Sequence, residues 1–156
     1  MPKLILLDGH SLAYRAFYAL PTDLATPAGQ VTNAAYGVTS MIIRLWADES
    51  PDAAAVAWDV PGKTFRSEAY SEYKAQREAP PDLFRSQLPL IREVAEALRI
   101  SQFGVEGFEA DDVIATLAGR AAADGWEVLV VTGDRDAFQL IGEGVRVLYT
   151  RRGITD

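Results

Sequence analysis

The sequence predicts an α/β fold: a mainly parallel central sheet with helices on both faces. Three observations carry that prediction. Lys3–Leu7 and Glu127–Thr132 are nearly continuous apolar runs, of the length and aliphatic character expected of strands covered on both faces. Between the strand candidates lie segments with apolar residues at helical spacing, and strands alternating with helices give parallel sheets. Acids stand just past three strand ends, at Asp8, at Asp59 and at Asp134 with Asp136. That is the edge at which parallel sheets bind ligands.

In chain order, Lys3–Leu7 ends in Asp8-Gly9, a strand followed by a loop. Ser11–Leu20 has helical spacing and sets Arg15 among aromatics. Pro21–Gly29 reads as a loop rich in Pro, Thr and Gly. Ala34–Trp46 is a helix through Tyr36, Val38, Met41, Ile42 and Leu45, with Pro51 closing it. Ala53–Trp58 is alanine-rich, so periodicity alone does not make it a strand; Asp59 and the loop Val60-Pro61-Gly62 behind it do. After a charged segment and Pro80-Pro81, a helix is expected from about Asp82 to Leu98, kinked at Pro89. Another runs from Glu109 to about Asp124-Gly125, with Ile114, Leu117, Ala118 and Ala121 as its apolar stripe. Val145–Tyr149 is the last strand.

Composition narrows the classes. At 156 residues and 49% hydrophobic, the chain can bury one sizeable core, which makes residues 1–156 a single domain. Without cysteine it has no disulfides or thiolate metal sites, in keeping with a reducing cytoplasm. The apolar run after Met1-Pro2 is too short for a signal peptide or a membrane span, so no membrane partner is expected, and the expected state is a monomer. One histidine, His10, speaks against a multi-histidine metal site or a Ser-His-Asp triad. The net charge of −7 argues against a simple basic nucleic-acid binder. Where acids gather around bound cations, however, the local sign inverts.

The acids are grouped. Gly107-Phe108-Glu109-Ala110-Asp111-Asp112-Val113-Ile114 places three carboxylates at the start of a helix. At about 5 Å and an effective dielectric near 20, each pair repels by roughly 3 kcal/mol. One acid there would be ordinary helix-dipole chemistry, and Asp8, Asp59 and Asp134 could each be a helix cap. With Asp8, Asp59, Asp134 and Asp136, seven carboxylates converge on one rim, which favours a ligand site. Oxygen donors without histidine or cysteine suit hard cations such as Mg²⁺ or Mn²⁺. Two such ions about 4 Å apart are the usual apparatus for in-line attack on a phosphodiester.

A second feature is basic and aromatic. Drawn as a helix at about 100° per residue, Lys63–Arg77 places Lys63, Arg66, Tyr70, Tyr73, Lys74 and Arg77 in one stripe. Glu68 and Glu72 fall on the other side, and no aliphatic face is left to bury. Cations tracking phosphates beside rings that stack on bases suit a single nucleic-acid strand. The alternative is a solvated helix held by ion pairs one turn apart.

These residues carry a resemblance. Leu-Leu-Asp8-Gly-His-Ser-Leu-Ala-Tyr-Arg15-Ala, Trp-Asp59 followed by Lys-Thr-Phe-Arg66, Tyr73-Lys74-x-x-Arg77, Gly-x-Glu109-Ala-Asp-Asp112-Val and Thr-Gly-Asp134-Arg-Asp136 stand in the order and spacing of a known domain. From about Lys3 to Asp156 the chain resembles the 5′-nuclease domains of bacterial DNA polymerase I, in the flap-endonuclease, PIN-like family. The resemblance implies a resolvase-like sheet with a helical arch. It assigns Asp8, Asp59, Glu109, Asp111 and Asp112 to a first metal ion, and Asp134 and Asp136 to part of a second. It assigns Arg66, Tyr73, Lys74 and Arg77 to an arch gripping the 5′ strand near the scissile phosphate, and Arg15 to a basic position near the active site.

The family continues beyond the position of Asp156 with a helix-three-turn-helix module that binds duplex DNA and adds two aspartates to the second metal site. The chain is therefore expected to be the N-terminal part of a longer protein, followed by that module and a polymerase region, with its second site incomplete. The activity implied is Mg²⁺- or Mn²⁺-dependent 5′-3′ exonuclease and 5′-flap endonuclease cleavage of DNA, or of RNA primers, in replication and repair. Asp8, Asp59, Lys74 and Arg77 would carry the catalysis. The alternative is a module that holds a 5′ end or flap without cutting it. A phospho-receiver domain shares the acidic edge, but arginines rather than lysine follow Val145–Tyr149.

Overall fold

The computed structural model describes residues 1–60 and 82–150. The basic stripe from Lys63 to Arg77 and the final Gly153–Asp156 lie outside the described residues. Among the described residues five strands form one all-parallel sheet: β1 (Lys3–Asp8), β2 (Ala53–Ala57), β3 (Ser101–Phe103), β4 (Glu127–Thr132) and β5 (Val145–Tyr149), ordered β3-β2-β1-β4-β5. The helices are α1 (Gly9–Ala19), α2 (Asn33–Glu49), α3 (Asp82–Arg85), α4 (Leu88–Ala97) and α5 (Ala110–Ala123), with a 3-10 turn at Arg135–Leu140. None of the described helices is long and apolar enough to cross a membrane.

Strand side chains alternate between faces, and the central strand shows what that does to the sequence. Ile5 and Leu7 pack with α1, α2, α4 and the β4 residues Leu129 and Val131 in one core. Leu6 packs with Ala55, Ala57, Val128, Val130 and the α5 residues Ala110, Val113, Ile114 and Ala118 in the other. With both faces covered, β1 has no reason to alternate polar and apolar residues, so it reads as an unbroken apolar run. The same alternation sends Asp8, two residues beyond Leu6, toward the α5 side.

Three expectations are refined. The α5 stripe is rotated: Ala110 and Val113 are buried with Ile114 and Ala118, whereas Leu117 and Ala121 are only partly buried. The helix expected across 82–98 is two helices. Proline at 89 has no N–H and its ring collides with the carbonyl four residues back, which belongs to Arg85, and α3 ends at Arg85. Pro89 then serves in the first turn of α4, where its missing donor costs nothing. Finally, β3 has no counterpart among the strands expected from the sequence. It is a three-residue edge strand paired through Ala55↔Ser101 and Ala57↔Phe103, too short and too exposed for a pattern.

Between α3 and α4 lies Gln87, fully buried. Its Oε1 accepts the N–H groups of Ala34 and Ala35 at 2.8 and 3.1 Å, while its Nε2 donates to Asn33 Oδ1 at 2.8 Å and Leu83 O at 2.9 Å. Asn33 Nδ2 in turn donates to the carbonyls of Phe17 and Leu20 at the end of α1. Gln87 thus caps α2 from a distant part of the chain, in place of Thr32, whose side chain makes no cap bond. Gln87→Leu should cost about 2–4 kcal/mol, since it leaves buried groups without partners. Urea unfolding reads this directly; a midpoint equal to the parent's would mean that the node is not needed.

Candidate metal and nucleic-acid site

The carboxyl edge of β1, β2 and β4 collects the acids from separate stretches of chain. Asp8 closes β1 and is 4% exposed. Its Oδ2 accepts the Thr132 hydroxyl at 2.8 Å, and the backbone of Ser11 also supports it. Glycine at 9 lets this edge close up: a Cβ there would stand 2.5 Å from the buried Trp58 ring. Burial pushes the Asp8 carboxyl up to about 6. The Thr132 hydrogen bond works against that shift, and the charges of Asp59 and Asp134 add to it.

Asp59 follows β2. Its Oδ1 accepts the N–H of Ala110 at 2.8 Å, tying the end of β2 to the first turn of α5. Its own N–H donates to His10 Nδ1 at 3.2 Å. The same nitrogen lies 3.8 Å from Asp59 Oδ2.

The three acids of α5 divide their work. Glu109, the N-cap, and Asp112 form a reciprocal capping box, in which Asp112 Oδ2 accepts the Glu109 N–H at 3.1 Å. Backbone N–H groups at the positive end of the helix thereby offset part of the repulsion expected from the sequence. Asp111 faces the other acids. Burial first, then the charges of Asp8 and Asp134, a hydrogen bond to Asp134 and the charge of Asp59 push its carboxyl up to about 7. Four carboxylates, Asp8, Asp59, Asp111 and Asp134, thus share one electrostatic neighbourhood.

Asp134 opens the 3-10 turn. Its Oδ1 accepts the N–H of Asp136 at 2.9 Å, and its own N–H donates to Thr132 Oγ1 at 3.1 Å. Asp136 is exposed and lines a cleft of about 280 Å³ with Asp111, Asp112 and Thr132. Arg15 reaches the same edge from α1: its Nη2 donates to Gly133 O and to the Tyr149 hydroxyl, both at 3.2 Å. A Cβ at Gly133 would lie 2.8 Å from Arg15 Nε, so glycine is what lets the guanidinium pack there.

The donor set is carboxylate oxygen throughout, and the charges of Asp59 and Asp134 oppose ionisation of Asp8 and Asp111. That chemistry fits hard divalent cations. Among the described residues no group of three or more histidine, aspartate or glutamate side chains is placed as an ion cage. Ser11 and Thr132 are not among the residues that the sequence singles out for the site. Their signal was position: Thr132 is the first polar residue at the end of an apolar strand, as Asp8 is in β1.

Fold and site define an all-parallel α/β domain with an acidic, oxygen-donor centre at the carboxyl edge of its sheet. The chain belongs to the family described as 5′-3′ exonuclease, N-terminal resolvase-like domain, whose model matches residues 3–156. It is 54% identical over 156 residues to DNA polymerase I of Mycobacterium leprae (strain TN), a match covering 99% of this chain and 17% of that protein. It is 49% identical over 154 residues to DNA polymerase I of Bacillus caldotenax, with the same coverages. The chain therefore spans 17% of the length of these curated relatives.

Among solved structures, the T5 D15 protein co-crystallised with metal ions superposes with a TM-score of 0.72 at 21% identity, over 94% of this chain and 54% of that one. The bacteriophage T5 D15 flap endonuclease, in a pseudo-enzyme-product complex with DNA and metal ions, gives 0.72 at 20% identity with the same coverages. At these identities the likeness is one of fold, and it is the fold that the sequence resemblance implies.

Proposed function

We propose that this chain is the catalytic part of a divalent-metal-dependent 5′-nuclease. It hydrolyses phosphodiesters of DNA at a 5′ end or 5′ flap, and of RNA primers, in replication and repair. The observation that carries the reading is the meeting of Asp8, Asp59, Asp111 and Asp134, from four segments, at one sheet edge in a chain of the 5′-3′ exonuclease family.

In this reading Asp8, Asp59, Asp111 and Asp112 hold Mg²⁺ or Mn²⁺ at a first site, supported by Glu109. Asp134 and Asp136 contribute to a second. When bound, the ions supply activation of a water and neutralisation of charge developing on the phosphate. The protein's own work is placement. The capping box fixes the start of α5, and the Asp59–Ala110 bond locks it to β2. Arg15 provides a cation beside the acids to attract a phosphate. Lys63, Arg66, Tyr70, Tyr73, Lys74 and Arg77 supply the remaining grip on the 5′ strand.

The test is incubation of the intact protein with a labelled 5′-flap substrate in Mg²⁺, in Mn²⁺ and in EDTA. Release of a shortened strand that EDTA prevents is the expected outcome. A retarded but uncut substrate in both metals would make the domain a binding module instead.

A further inference from the structure

We infer that Thr132 is a positioning residue: its hydroxyl orients the Asp8 carboxylate toward the cation and couples it to the Asp134 loop. The inference rests on the metal-dependent reading above and deepens it.

The direction of the bonds follows from counting protons. The Asp134 N–H can only donate, and it points at Thr132 Oγ1 from 3.1 Å. The hydroxyl has one proton of its own. Of its two possible acceptors, Asp8 Oδ2 lies at 2.8 Å and Ser11 Oγ at 3.5 Å. Asp8 Oδ2 is both the nearer acceptor and the carboxylate, while Ser11 Oγ accepts the Gly133 N–H at 2.7 Å. The Thr132 proton therefore goes to Asp8, and the relay runs Asp134 N–H to Thr132 O–H to Asp8 Oδ2.

The sheet makes this relay rigid. Leu7 pairs with Val131, so Asp8 and Thr132 are the next step on two adjacent parallel strands, and their side chains leave the same face. Thr132 is 1% exposed, and its β-branched side chain is confined at χ1. Asp8 Oδ2 is thus pinned by the Thr132 hydroxyl, and the backbone of Ser11 also supports the carboxylate. The same hydroxyl also fixes the backbone from which Asp134 projects. A ligand carboxylate held by a hydrogen bond in its outer shell loses about 10–100-fold in metal affinity when that partner is removed.

The experiment measures Mn²⁺ affinity by calorimetry on the intact protein, without substrate, for the parent, Thr132→Val, Thr132→Ser and Asp8→Asn. Thr132→Val keeps the shape and removes the hydroxyl, so Mn²⁺ binding should weaken by about 10–100-fold. Thr132→Ser restores the hydroxyl and should bind close to the parent. Parental affinity in Thr132→Val, or a loss in Thr132→Ser as large as in Thr132→Val, overturns the inference. Should Thr132→Val not fold, Thr132→Cys, with a weaker donor of similar size, must show reduced affinity; an unchanged value overturns it equally. Asp8→Asn separates the two levels. If that variant binds Mn²⁺ as the parent does, the metal reading itself fails, whereas its loss beside a silent Thr132→Val removes only the role of Thr132.

Discussion

Replacing Asp8 by asparagine should remove divalent-cation-dependent cleavage while leaving the fold intact. Asparagine keeps the shape and can still accept the Thr132 hydroxyl through Oδ1, so β1 and β4 stay joined. What disappears is a charge held 4% exposed beside Asp59 and Asp134. Loss of one preorganised electrostatic partner typically costs about 10²–10³-fold in rate, and a ligand shared with a cation should cost at least that. Stability should move the other way. Near pH 7 the metal-free variant no longer buries an unfavourable charge, so it should melt no lower than the parent. Lost activity with retained stability marks a functional group. Single-turnover cleavage beside a thermal melt checks both, and a rate within twofold of the parent would contradict the assignment.

The second large effect is an opposite response to pH and to metal. Asp8 and Asp111 both have folded-state values, about 6 and about 7, above the ordinary 3.8. Between those limits the folded chain holds more protons than the unfolded one, so stability falls as pH rises. The contribution of these two acids is complete below about pH 4 and is lost as pH climbs through 6 and 7. Glu49, held low chiefly by its hydrogen bond from Lys3, acts in the opposite sense, and its contribution is lost on acidification. Comparing the parent with Asp111→Asn isolates the site: the variant's metal-free melting temperature should fall less steeply toward pH 8.

Mg²⁺ at about 100 times its dissociation constant adds about 2.7 kcal/mol to the folded state. At about 2–4 °C per kcal/mol, that is a rise of roughly 5–10 °C in the parent. Asp111→Asn should show a much smaller rise. Equal rises in both proteins would place the ion elsewhere.

How much of this was legible in the sequence depended on whether a residue's partner was local. β1 and β4 could be read because burial on both faces leaves an unbroken apolar run. The acids past their ends could be read because parallel strands deliver side chains to one edge. β3 could not: Ser101–Phe103 owes its place to pairing with β2 rather than to its own composition. Proline at 89 predicts a kink, but whether a helix bends or restarts depends on what else the break can serve. Here it leaves Gln87 free to cap α2, from a position 53 residues further along the chain than Ala34. At the site, the sequence showed three acids opening α5 but not their division of labour. Glu109 and Asp112 answer to backbone a few residues away, while Asp111 answers to Asp8 and Asp134. Thr132 was hidden for the same reason, since its role exists only where β4 lies beside β1.

The most direct measurement is the location of Mn²⁺ by anomalous diffraction in crystals of the protein grown with the ion. An anomalous peak within coordination distance of carboxylate oxygens of Asp8 and Asp111, on the Asp134 side of the sheet edge, is the predicted result. Ions bound only away from that edge, with Asp8 still held by the Thr132 hydroxyl and the Ser11 backbone, would contradict the account.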